Sequence, residues 1–135
     1  MADSTAAVAG TNATATEFNN LRKDVVLGQA VMGTETYGAS IAIDWSDLTK
    51  GKVRTITLAG NPTITFSNPA VGQAILIRLI QDATGSRTIT WPTIKWPGGS
   101  APTLTTTASK IDSFLIVCTA ASTFDGYHAG FGLSS

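Results

Sequence analysis

Ile89 to Leu104, ITWPTIKWPGGSAPTL, is the stretch on which the fold reading turns, because it sets two Trp-Pro pairs and a Gly-Gly between β-patterned segments. Proline forces extended backbone on the residue before it and removes an amide donor, so Trp91–Pro102 reads as a corner at a sheet edge. The stretch carries no reactive group, and its role is architectural. On its N-terminal side stand short apolar and Thr-rich runs, RTITL (54–58), TITF (63–66), ILIRLI (75–80) and RTITW (87–91), separated by Gly, Asn, Asp and Pro. Such spacing predicts a mainly β protein, an antiparallel β-sandwich of jelly-roll type.

Outward from the corner the strand pattern continues in both directions. Residues 40–45 and 53–58 alternate with period two, which marks half-buried strands with Thr on the outer face. Ala59-Gly60-Asn61-Pro62 reads as a turn returning the chain at Thr63–Phe66, a hairpin. Gln73–Gln81 is the most apolar run and is expected at the sheet centre, with Arg78 at an edge or paired with Asp82 or Asp112. The tetrapeptide Arg-Thr-Ile-Thr at 54–57 and 87–90 is too short to establish a repeat. A short strand at 104–107, a buried one at 110–118 and a closing one at 124–133, turned at Asp125-Gly126, bring the expected number to about eight.

The opening residues are of another kind. Residues 1–13 are small and polar, with too few large side chains to bury much surface. Thr14-Ala15-Thr16-Glu17 matches the capping box, in which the Thr14 hydroxyl and the Glu17 carboxylate satisfy each other's backbone amides. Phe18, Leu21 and Val25 then share one face, and Gly28 stands where a C-terminal cap belongs, which predicts an amphipathic helix over about 15–27. The chain therefore divides into an arm with a short helix (1–33) and a β domain (34–135). Phe18, Leu21, Arg22 and Val25 are the candidate assembly contacts.

Composition narrows the partners. Charged residues make up 13% of the 135 and balance to a formal net charge of zero, against a typical content of about 25%. Phosphate neutralisation needs clustered Lys and Arg, and Arg22-Lys23 is the only adjacent basic pair, so no nucleic-acid partner is expected. Weak charge repulsion favours association with further copies. Neither a secretory leader nor a membrane span is expected, since the first residues lack a basic and apolar pattern and no segment reaches about 20 apolar residues.

Catalytic constellations are scarce. Cys118, the single cysteine, sits in an apolar run and reads as a small buried hydrophobe, without a disulfide partner. His128 is the single histidine, and no ligand spacing surrounds it. Asp44, Asp47, Asp82, Asp112 and Asp125 fall at turn and strand-end positions where Asp is expected for backbone reasons. Gly98-Gly99 and Gly126 read as turn glycines, since no phosphate-loop sequence follows them. The chain is read as a non-enzyme with no cofactor, no metal and no catalytic residue. Trp91, Trp96 and Tyr127 are the candidate surface for stacking a host glycan.

The order of these segments resembles a module of tailed-bacteriophage tail fibres and other virion proteins. The resemblance rests on Asp44-Trp45, Thr55–Leu58, Gly60–Phe66, Gly72-Gln73, Gln81-Asp82, Gly85–Pro92, Lys95–Gly99, Ala101–Leu104 and Lys110–Asp112. Phe18–Val25 is similar to a short helix preceding such modules. The resemblance implies a β-rich, non-enzymatic virion structural protein, made in the host cytoplasm and forming a homotrimer. Its expected partners are further copies of itself and other virion proteins of capsid, neck or tail. The chain has no collagen-like repeat, long shaft or large tip domain, which favours a short fibre, a head-decorating (cement) protein or a neck or tail accessory protein. A carbohydrate-binding adhesion module is the alternative.

Overall fold

Three parallel ladders, two in a large sheet and one in a small sheet, organise this protein. The computed structural model describes residues 32–134, and within them the strands are β1 (Met32–Glu35), β2 (Ser40–Asp44), β3 (Val53–Leu58), β4 (Thr63–Ser67), β5 (Ala74–Gln81), β6 (Ile111–Ala120) and β7 (Thr123–Leu133). The expected mainly β class is what forms. The expected helix, with Phe18, Leu21, Arg22 and Val25, lies outside the described residues. β1 opens at Met32, so the sheet takes in the last two residues assigned to the arm.

Pairing departs from the antiparallel expectation. Met32 pairs with Val53 and Val53 with Leu76, so β1, β3 and β5 run parallel in one sheet. Ser40 pairs with Thr63, so β2 and β4 run parallel in the other. The chain thus alternates between sheets and comes back beside itself after 21 and then 23 residues. It is a flattened parallel coil in which each crossover is itself a strand of the opposite layer. Backbone bonds from Ile64 N to Thr90 O (2.9 Å) and from Thr90 N to Pro62 O (3.0 Å) lay a third pass beside β4. That pass makes one bridge and no strand, so the expected strands at 87–91 and 104–107 do not form. β6 and β7 then add as an antiparallel pair, giving the order β1-β3-β5-β6-β7 beside the two-stranded β2-β4. These mixed sheets replace the all-antiparallel jelly-roll order.

The turn chemistry explains the difference. A tight hairpin needs positive φ at its central residues, and neither Gly60 nor Asn61 adopts it. Residues 59–62 stay open and carry the chain from one layer to the other. Positive φ is found instead at Asn68 and Gly72, where the chain swings back from β4 to β5. The true tight turn between β6 and β7 is Ala121-Ser122, with Ser122 at φ 52°.

Inward residues of both sheets form one core. Ile41, Ile43 and Ile64 project from the small sheet; Ile56, Leu58, Ile75, Ile77, Leu79, Phe114, Ile116 and Cys118 project from the large one. Full burial of each aliphatic side chain stabilises by about 1.5–3 kcal/mol before chain entropy is counted. Trp45, Phe66 and Phe124 interlock near ring-centroid separations of 4.9–5.3 Å, in edge and tilted geometries. Arg54 has the same parity as Ile56 and Leu58 and so enters the inner face, where it needs a carboxylate.

Candidate functional site

Three surfaces are built on this frame: the Trp-Pro corner, a set of polar clasps and the outer face of the large sheet. At the corner, Trp91 and Trp96 meet edge-on at 5.3 Å, and both rings pack against Phe114. Trp96 is only 9% exposed. A backbone bridge from Lys95 to Asp125 ties the corner to β7, through Lys95 N to Phe124 O and Gly126 N to Lys95 O. Gly126 is therefore no turn residue; it lies buried inside β7, and a Cβ there would stand 2.5 Å from Trp96 Cζ3. The strand needs glycine because the indole rests on its backbone. Gly98 and Gly99 are turn residues as expected, with φ of 78° and 85°.

The three aromatic residues expected to stack a sugar do not share a platform. Trp91 is half-buried, Trp96 is a core plug, and Tyr127 stands on the outer face of the large sheet, in register with Leu115. Trp91 nevertheless lines a groove of about 250 Å³ with Thr88, Ile89, Pro102, Thr103 and Leu104. The Trp91 indole and the Thr88 and Thr103 side chains share the lining of that groove.

Polar side chains are spent on holding turns. Arg54 donates to Glu35 Oε1 at 2.8 Å, and also to the carbonyls of Gly51, Asp44 and Asp47. Lys50 adds a bond of 2.6 Å to Glu35 Oε2. The Ser46 hydroxyl, its amide and Asn68 hold the Asp44 carboxyl below the ordinary aspartate range, and the Thr49 hydroxyl does the same for Asp47. Asp82 is held low by the Arg87 guanidinium at 2.7 Å, with help from the amides of Gly85 and Thr84. Gln81, buried, bridges Arg87 and Thr105. Asp112, also buried, accepts from the amides of Thr105 and Gly132. Arg78 takes neither Asp82 nor Asp112; its guanidinium contacts Met32 Sδ at 3.7 Å.

The residues capable of nucleophilic or metal chemistry are dispersed. Cys118 is buried, and His128, on β7, sits opposite Phe114, four residues along β6 from Cys118 or about 13 Å. His128 stacks on Phe131. Among the described residues no three His, Cys, Asp or Glu side chains converge on a metal-sized site, and no helix is long and apolar enough to cross a membrane.

The outer face of the large sheet is the surface that sequence reading missed. Met32, Val53, Leu76, Leu115 and Tyr127 form one cross-strand row, one residue from each of the five strands in register. Met32 is 60% exposed, Leu115 37% and Tyr127 46%. Ala74 and Val117 extend the face on one side of the row; on the other, past a polar row of Thr34, Thr55, Arg78 and Ser113, stand Ile80 and the exposed Leu133 beside Ile111, which is buried. The missed signal was parity: in AILIRLIQ, both the odd and the even positions are apolar, so both faces of β5 seek cover.

Residues 45–118 match the family described as "Putative phage tail fibre C-terminal domain". The match runs from the end of β2 through most of β6. No curated protein and no solved structure matches the chain.

Proposed function

Because this chain belongs to the phage tail fibre C-terminal domain family, it is a structural component of a phage virion, and we propose that it works there as a self-associating module. In this reading the β domain makes a homotrimer, and the arm of residues 1–33, through Phe18, Leu21, Arg22 and Val25, attaches it to other virion proteins of capsid, neck or tail. The protein is a short fibre, a cement protein or a neck or tail accessory protein, and it is not an enzyme.

The carrying observation is the apolar row across the outer sheet face. Contiguous apolar surface of this extent on a weakly charged protein marks an association site. Light scattering tests it by comparing the full chain with one lacking residues 1–31. Two trimers would place the oligomer contacts in the β domain and leave the arm for attachment. A full chain that stays monomeric at every concentration would overturn the reading.

A second reading, host-glycan binding, is favoured by the groove at Trp91. It calls for a stacking aromatic residue beside hydroxyl groups, and Trp91, Thr88 and Thr103 supply them.

A further inference from the structure

Resting on that self-association reading, we propose that the outer face of the large sheet is the copy-to-copy contact, with Arg78 of one subunit meeting Asp125 of the next. Arg78 lies on β5, at the centre of the face and next to the apolar row; it makes no salt bridge to any carboxylate among the described residues. Asp125 lies on β7, on the same face, opposite Val117. Its carboxylate makes no salt bridge there either. Arg78 aligns with Ser113 and Asp125 with Val117, so the two are four residues apart along β6 and two strands apart across the sheet. That separation is about 16 Å, too far for pairing within one chain.

Arg78, between Thr55 and Ser113 across the sheet and between Leu76 and Ile80 along β5, needs an anion when the face is covered, because an unpaired buried charge is strongly unfavourable. A second copy brings both the apolar surface and the carboxylate. The face is about 24 Å across five strands and about 26 Å along β5, roughly 600 Å² in projection. Stable contacts bury about 800 Å² per partner, so the face would supply the larger part of one. The Thr55 hydroxyl, on the same face in register with Arg78, is buried without a hydrogen-bond partner among the described residues.

The test measures mass against concentration for the full chain and four variants: Leu115→Lys, Arg78→Glu, Asp125→Arg and the Arg78→Glu/Asp125→Arg pair. Leu115→Lys is expected to shift the wild-type oligomer to monomer with an unchanged far-ultraviolet spectrum. Each charge reversal should raise the dissociation midpoint at least about tenfold, and the pair should return it close to wild type. The charge variants are surface changes, so they decide the matter even if Leu115→Lys fails to fold. Variants that all keep the wild-type mass profile would overturn this contact while leaving self-association intact. A monomeric wild type in which residues 1–31 cross-link to Leu76 or Leu115 would overturn both, by showing that the chain's own arm covers the face.

Discussion

Glu35 and Arg54 meet at 2.8 Å from adjacent parallel strands, with the side chains only 5% and 1% exposed, so the first turn of the coil is locked to the second by an ion pair inside the protein. Arg54 also gathers three carbonyls from the 44–51 connection. Removing the carboxylate leaves a buried cation without its counter-charge. Glu35→Ala should therefore cost about 3–5 kcal/mol in urea unfolding. Lys50, the outer partner, is 37% exposed, and Lys50→Ala should cost no more than about 1 kcal/mol. Equal losses for the two variants would show that Arg54 does not depend on Glu35.

Acid should loosen the protein through Asp82. Its folded pKa lies below the unfolded one, because the Arg87 guanidinium donates to it. The stability this gives is present above the unfolded value, near pH 4, and is lost as pH falls through the folded value. Asp44 and Asp47 act in the same direction. Thermal midpoints measured from pH 6 to pH 2 should fall over the acid end. Asp82→Asn should start lower at pH 6 and fall less steeply.

Adding one methyl group at two glycines should separate packing from backbone strain. Gly126→Ala sets a Cβ against Trp96 and Ile94 and should cost about 1–3 kcal/mol by overpacking. The near-ultraviolet tryptophan signal should change with it. Gly98→Ala meets open space but keeps φ at 78°, so its cost should be about 1–2 kcal/mol with the tryptophan signal preserved.

Saccharide titrations against tryptophan fluorescence decide the glycan reading. Quenching that disappears in Trp91→Ala and survives in Tyr127→Ala is the expected result for a sugar held in the groove. A flat titration with host glycans would remove that reading.

Much of this architecture could be read from residues. The alternations at 40–45, 53–58 and 63–66 and the apolar run at 73–81 each became a strand, because period-two burial is a local property that survives any choice of partner. Partner choice is not local. The segment Ala59–Pro62 reads as a hairpin turn from its residue types, and only its backbone, without positive φ at Gly60 or Asn61, shows the open crossover. Gly126 looked like turn glycine after Asp125 because its actual requirement, the approach of Trp96, comes from 30 residues away. Met32–Glu35 escaped notice for a related reason: MGTE is too short and too weakly apolar to mark a strand, and Glu35 is buried there only because Arg54 awaits it. The candidate contacts followed the same division. Trp91 and Trp96 stayed together since they share one short segment, whereas Tyr127 went to the opposite side of the large sheet by the parity of β7.

The coil also sets an order of events in time. Closing a chain loop costs more entropy the longer the loop, and contacts between distant residues form late. β6 and β7 are joined by Ala121-Ser122 alone, whereas each parallel pairing spans more than twenty residues. By that measure the C-terminal hairpin and the parallel pairings across 21 and 23 residues are expected to close before β5 meets β6, which spans 31 to 43 residues. Since the ribosome makes every coil strand before that hairpin, the coil is expected to wind in the order in which it is made, with β6 and β7 closing the large sheet last.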